Sequence, residues 1–245
     1  RMGKNILYPF HRSAFHHLQE CLLQSEVFGK STTHNGGNCL TARLLDATHG
    51  HAHMFGFDHD HNALWLQVFF QCIGNHDFEK AYADLHNSSV GAERYAEQMF
   101  GRYFGPVNYS FNIGNAHVVT IKSINYRGGC HYEEEITEED LRWLERDLSY
   151  VQKDRLVILN MHAPGWNAME PIDNILNAKR LEEILAPYDA HVFAGHTHFF
   201  ENVEVSPRLY QHNIGSACGA WWTSNICRDG SPNGYMVVTV DGKKL

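Results

Sequence analysis

The chain has 245 residues, 43% of them hydrophobic, which is enough to bury one sizeable core in a single domain over residues 1–245. A net charge of −8 excludes nucleic-acid binding through a broad basic surface, because such binding depends on neutralising phosphates with Lys and Arg. It leaves small phosphorylated molecules open as substrates, since bound cations can supply local positive charge.

No run of about 18 uninterrupted apolar residues occurs, so no membrane span is expected. Arg1 to Asn5 lack the apolar core of a signal peptide. The six cysteines form no CxxC pair. Free thiols are the expectation, with Cys72 buried in an apolar run and a Cys218–Cys227 pairing across a loop as the alternative.

In chain order, the first legible element is Leu66 to Ile73, a short apolar run stopped by Gly74 that reads as a buried strand. Val107 to Ile113 and Ala116 to Ile124 flank Gly114-Asn115 and predict a hairpin. Thr137 opens T-E-E-D, an N-cap with an acidic residue three positions on. Leu141, Leu144, Leu148 and Val151 follow at helical spacing. Arg155 to Met161 predicts another buried strand, Asp173 to Leu185 a helix, and Ala190 to Ala194 a strand stopped by Gly195. Leu209 to Ile214 and Gly234 to Val240 complete the sheet material, with Asp241-Gly242 as a turn. Strands alternating with helices, plus hairpins, predict an α/β (α+β) arrangement of mixed sheets covered by helices.

Three of these apolar strands run straight into polar clusters: G-N-H-D at 74–77, H-A-P at 162–164 and G-H-T-H at 195–198. Ligands in open α/β sheets bind beyond the carboxyl ends of strands. Neutral imidazoles with amide or carboxylate oxygens suit Zn, Fe and Mn. His196 and His198 are one residue apart and would face opposite ways if extended. A tight loop opened by Gly195 brings both into one cavity, and Gly74 and Gly195 let the chain bend where each strand ends. Asn75 offers an amide oxygen, and Asp77 beside His76 can orient an imidazole acting as a general acid. Taken singly, His162 reads as a structural histidine, and H-x-H reads as readily as a solvated loop as it does as a ligand pair. Eighteen histidines make any lone one weak evidence, and it is the three clusters together that point to a metal site.

The order G-N-H-D, M-H-A-P, G-H-T-H resembles the calcineurin-like metallophosphoesterase superfamily. The stretch Gly215 to Gly234 resembles a bacterial branch of it, and the likeness extends over about residues 68–242. The resemblance implies a four-layer α-β-β-α sandwich with a dinuclear site of two divalent ions at the strand ends. By position, Asn75, His162 and His196 would bind one ion and His198 the other. His76 would be the catalytic acid with Asp77 behind it, and a phosphomonoester or phosphodiester would be hydrolysed by a water bridging the metals. The family also implies a location in the periplasm or outside the cell.

Two earlier family motifs are not intact. The family's spacing back from Gly74 reaches Asp46, in A-R-L-L-D-A, as the bridging carboxylate, with Asp58 and Asp60 as competitors. Further back, His11 takes the histidine position of D-x-H, while Pro9 stands where the aspartate belongs and cannot ligate. A non-catalytic binding protein with a degraded metal site is therefore the alternative function. The five histidines of 49–61 read either as an auxiliary metal-binding loop or as a solvated stretch. Arg127 and Trp166 are the candidate substrate contacts, with Tyr126 and Trp221-Trp222 nearby; for each, packing is the competing role.

Overall fold

The computed structural model describes residues 39–44, 46–47, 52–53 and 56–57 as backbone strands, and residues 70–78, 91–128, 131–169, 171–220 and 223–245. His11, Pro9, Asp58, Asp60 and Trp221-Trp222 lie outside the described residues, as do the side chains of Asp46 and of 49–61. Two compact units are distinguished, Arg1–Gly37 and Asn38–Leu245; all that follows concerns the second.

The central sheet is built from β5 (Tyr109–Ile113), β6 (Ala116–Thr120), β9 (Leu156–Asn160), β10 (Asp189–Ala194), β11 (Glu201–Ser206) and β12 (Leu209–Asn213), in the order β11-β12-β10-β9-β6-β5. β6, β9, β10 and β12 are parallel, and antiparallel β5 and β11 close the two edges. The hairpin expected around Gly114-Asn115 joins β5 to β6, with Gly114 at φ 52°, a left-handed conformation that glycine adopts without steric cost. β13 (Met236–Asp241), β1 (Cys39–Leu44) and β4 (Gly56–Phe57) form a second, antiparallel sheet. Short pairs join β2 (Asp46–Ala47) to β3 (Ala52–His53), and β7 (Ile124–Gly128) to β8 (His131–Glu134).

Every residue of the central strands β6 and β9 is buried, so both their faces are covered and their runs are apolar apart from His117, Thr120 and Asn160. One face meets helices: α1 (Gly91–Phe104) contributes Phe100, α2 (Glu138–Ser149) contributes Leu141, Leu144 and Leu148, and α3 (Ala178–Leu185) contributes Leu181, Ile184 and Leu185. The other face, with Val118, Ile158 and Phe193, packs against Val238 and Val240 of β13. The result is a mixed α/β fold of two facing sheets with helices outside the larger. Among the described residues, no helix is long and apolar enough to cross a membrane.

Thr137 caps α2 as expected: Asp140 N–H donates to its Oγ1 at 3.2 Å, and the hydroxyl donates back to Asp140 Oδ2 at 2.7 Å. Two expectations are corrected. Residues 70–73 of the run Leu66–Ile73 belong to no strand; Phe70 stacks on Phe111, and Gln71 C=O accepts from Tyr109 OH at 2.8 Å. The helix expected from Asp173 starts only at Ala178. The preceding residues hold other elements instead: Ile175 N–H donates to Pro164 C=O, Leu176 N–H to Glu134 C=O, and Asn177 Nδ2 to Ile136 C=O. Cys72, Cys218 and Cys227 are buried thiols outside any disulfide.

Candidate metal centre

Past their ladder, β9 and β10 stay joined. Met161 N–H donates to Phe193 C=O at 3.1 Å and Gly195 N–H to His162 C=O at 3.0 Å, which sets His162 beside the G-H-T-H loop. In that loop His196 and His198 have φ values of 69° and 60°. The sequence reading gave the bend to Gly195; the left-handed conformations belong to the two histidines themselves. Such backbone costs a β-carbon-bearing residue about 1–2 kcal/mol, and it persists only where the surroundings hold it. Thr197 N–H donates to Gly195 C=O at 2.8 Å and tightens the turn.

The G-N-H-D segment forms a 3-10 turn, Asn75–Phe78, closed by Asp77 Oδ2 accepting from Gly74 N–H at 2.7 Å. Gly74 serves chiefly as space. A Cβ there would sit 2.9 Å from His162 Nδ1, so the imidazole lies against bare backbone.

These pieces converge. His162 Nε2 lies 2.9 Å from Asn75 Oδ1 and 3.0 Å from His196 Nδ1, with His162 fully buried and Asn75 8% exposed. On its outer side His196 Nε2 faces Glu134 Oε1 at 3.2 Å, and Asn75 Nδ2 donates to Tyr132 OH at 2.9 Å. Burial acts to raise the Glu134 carboxyl's pKa, but the hydrogen bonds it accepts, from the His196 ring and from backbone, outweigh that and hold the group below its ordinary 4.5. Asp173, in the turn Pro171–Asp173, completes a group in which Glu134, Asp173 and His196 each bring a ligand atom within 4.8 Å of the others.

The donor set fits a divalent cation. Glu134 can only accept, so His196 Nε2 carries the ring's proton and Nδ1 presents a lone pair. Asn75 Oδ1 is also an acceptor. The two therefore compete for one proton on His162 Nε2, whereas with that proton on Nδ1 instead a cation would satisfy all three atoms. Ligands at about 2.0–2.2 Å from an ion stand about 3–3.5 Å from one another, close to the spacing observed.

His198 lies two residues on, 3% exposed, and His76 is half-buried on the turn after Asn75. For Asp46 the description stops at its backbone in β2, opposite His53. Arg127 does not join the group. Its guanidinium pairs with Glu133 and Glu135 at 2.5 and 2.8 Å, residues that alternate along the chain with Tyr132 and Glu134. Trp166 packs against the main core, and its N–H donates to Gln211 Oε1 at 3.1 Å. The sequence reading missed Tyr132, Glu134 and Asp173. The available signal was Gly128-Gly129 between two runs able to pair as a hairpin.

Residues 211–245 match the family model described as the C terminal of calcineurin-like phosphoesterase, which supports the resemblance drawn from the motifs. Among solved structures, a dimetal phosphatase from Danio rerio is 16% identical, with 60% of each chain covered and a TM-score of 0.41. GAP50, the anchor in the inner membrane complex of Plasmodium, is 18% identical over 60% of this chain and 54% of that one, with a TM-score of 0.42. The chain thus spans less than two thirds of the length of either. No curated protein sequence matches it.

Proposed function

We infer that this chain hydrolyses a small phosphomonoester or phosphodiester with the help of divalent cations (Mn, Fe or Zn), one of them held by Asn75, His162 and His196. The observation that carries the reading is the approach of Asn75 Oδ1 and His196 Nδ1 to His162 Nε2, at 2.9 and 3.0 Å. When bound, such ions supply Lewis-acid polarisation of the phosphoryl group and lower the pKa of water. The protein's own part is to fix the donors. Burial strips water from His162, Gly74 lets its ring lie against backbone, and a left-handed backbone at His196 brings its Nδ1 to His162. A second ion would draw on His198, with Asp46 and His11 as further ligands from the family resemblance. His76, beside Asn75 and half-buried, is the proton donor to the leaving oxygen in this reading.

Assay of the purified chain with p-nitrophenyl phosphate and bis-p-nitrophenyl phosphate, with Mn²⁺, Fe²⁺ or Zn²⁺ added, tests this reading. Cation-dependent turnover that His162→Ala abolishes is expected, and the ratio of the two rates separates monoesterase from diesterase. Cation binding without turnover of either ester would select the non-catalytic binding protein instead.

A further inference from the structure

The groups that orient Asn75 and His196 come from an element none of the three motifs reaches. Tyr132 and Glu134 are two residues apart on β8, so the pleat places them on one face. From that face the Tyr132 hydroxyl accepts from Asn75 Nδ2 at 2.9 Å, and Glu134 Oε1 accepts from His196 Nε2 at 3.2 Å. We propose that Tyr132 and Glu134 are positioning residues of the cation site. Glu134 fixes the His196 tautomer whose Nδ1 lone pair faces inward, and Tyr132 keeps the Asn75 amide oxygen turned the same way. The proposal rests on Asn75 and His196 being cation ligands.

A neutral imidazole has one N–H, and a carboxylate has none to give. With Glu134 in place the proton sits on Nε2, and Nδ1 is left with its lone pair facing His162 Nε2. The amide works alike. Its NH₂ end is occupied at Tyr132 while Oδ1 stands 2.9 Å from His162 Nε2; reversed, it would present hydrogens to a cation. Partners of this kind fix ligand tautomer and ring orientation and raise ligand basicity.

The hairpin that carries the pair is held on several sides. Tyr126 of β7 is fully buried and Tyr132 packs against the main core. Glu134 C=O accepts from Leu176 N–H at 2.8 Å, and Asn125 Nδ2 donates to Glu135 Oε2 at 2.6 Å. The run Glu133-Glu134-Glu135 is thus divided by the pleat: its outer members pair with Arg127 and only the middle one meets His196. The competing arrangement puts a cation on His196 Nε2 itself, with Glu134 and Asp173. With Nδ1 also ligating, that would require an imidazole bare of protons on both nitrogens, which neutral histidine does not provide.

The test uses the full chain, with Mn²⁺ and Zn²⁺ affinity and stoichiometry from titration calorimetry, and ¹⁵N-histidine NMR of the cation-free protein. Glu134→Gln and Tyr132→Phe are each expected to weaken affinity about ten- to a hundredfold at unchanged stoichiometry. In the cation-free wild type, His196 is expected as the Nε2–H tautomer with its ring proton shifted downfield by the carboxylate, and Glu134→Gln should lose that shift. If Glu134→Gln removes one whole ion and leaves the rest at wild-type affinity, Glu134 is a ligand and the proposal fails. Unchanged affinity and an unchanged ring resonance in both variants overturn it as well. Should Glu134→Gln not fold, Tyr132→Phe, which keeps the ring in the core, decides through affinity. A wild type that binds neither ion defeats the cation reading, while the ring resonance still judges the tautomer claim by itself.

Discussion

A methyl group at position 74 would lie 2.9 Å from His162 Nδ1 and 3.0 Å from its Cε1, so Gly74→Ala must push the imidazole away from Asn75 and His196. We expect Gly74→Ala to cost about 1–3 kcal/mol in stability and to weaken cation binding, measured by thermal unfolding and calorimetric titration. Unaltered affinity would mean the ring can slide without leaving the site. His76 is expected to behave differently, because it is assigned a proton rather than an ion. His76→Asn should lower kcat about 10²–10⁴-fold on esters with poor leaving groups, much less on activated aryl esters, with bound metal unchanged. Loss of metal together with rate would make it a ligand or scaffold. At this scale the three motif clusters were legible because each ends or follows an apolar run. Glu134 was hidden inside a glutamate run that reads as solvated, and its role emerges only when the pleat separates it from Glu133 and Glu135.

Among the elements, β12 shows how a strand that carries none of the three motifs stabilises the loop after His162. Gln211 is fully buried; its Oε1 accepts from Gly165 N–H at 2.7 Å and Trp166 N–H at 3.1 Å, and its Nε2 donates to Trp166 C=O and, at 2.9 Å, to Asn213 Oδ1. Gln211→Leu leaves these buried groups without their partner and should destabilise the fold by about 2–4 kcal/mol, read from urea unfolding. A loss below about 1 kcal/mol would show that the loop finds other partners. The strands β6, β9 and β10 and the capped helix α2 were readable because both-face burial and an i, i+3, i+7 leucine pattern leave strong signatures. β11 was not, since an edge strand alternating polar and apolar residues carries little contrast. The late start of α3 was not either, because Ile175, Leu176 and Asn177 satisfy backbone groups of other segments, and nothing local in the sequence announces that.

For the whole molecule, acid should act through groups remote from the cation site. His191 Nδ1 and His212 Nε2 are 2.9 Å apart, and His212 Nδ1 lies 2.6 Å from Asn202 Oδ1. Burial pulls His191 below its ordinary 6.5; burial and the neighbouring His191 take His212 to about 4. Because the folded state prefers both rings neutral, their contribution is present above the unfolded value of 6.5 and is lost as pH falls toward about 4. Burial raises Asp147, but hydrogen bonds from His117 and Ser110 with the charge of His117 leave it below 3.8, so its contribution is lost at still lower pH. The Tm should therefore fall as pH drops from 6.5 to 4, and His212→Phe, which keeps the aromatic contact with Phe193, should flatten that slope; an identical slope would clear the pair of the effect. Anomalous diffraction from crystals of the chain grown with Zn²⁺ locates the bound cation. A peak is expected about 2.0–2.2 Å from Asn75 Oδ1, His162 Nε2 and His196 Nδ1 together. A peak ligated by His196 Nε2 with Glu134 and Asp173, and none among Asn75, His162 and His196 Nδ1, would contradict that placement.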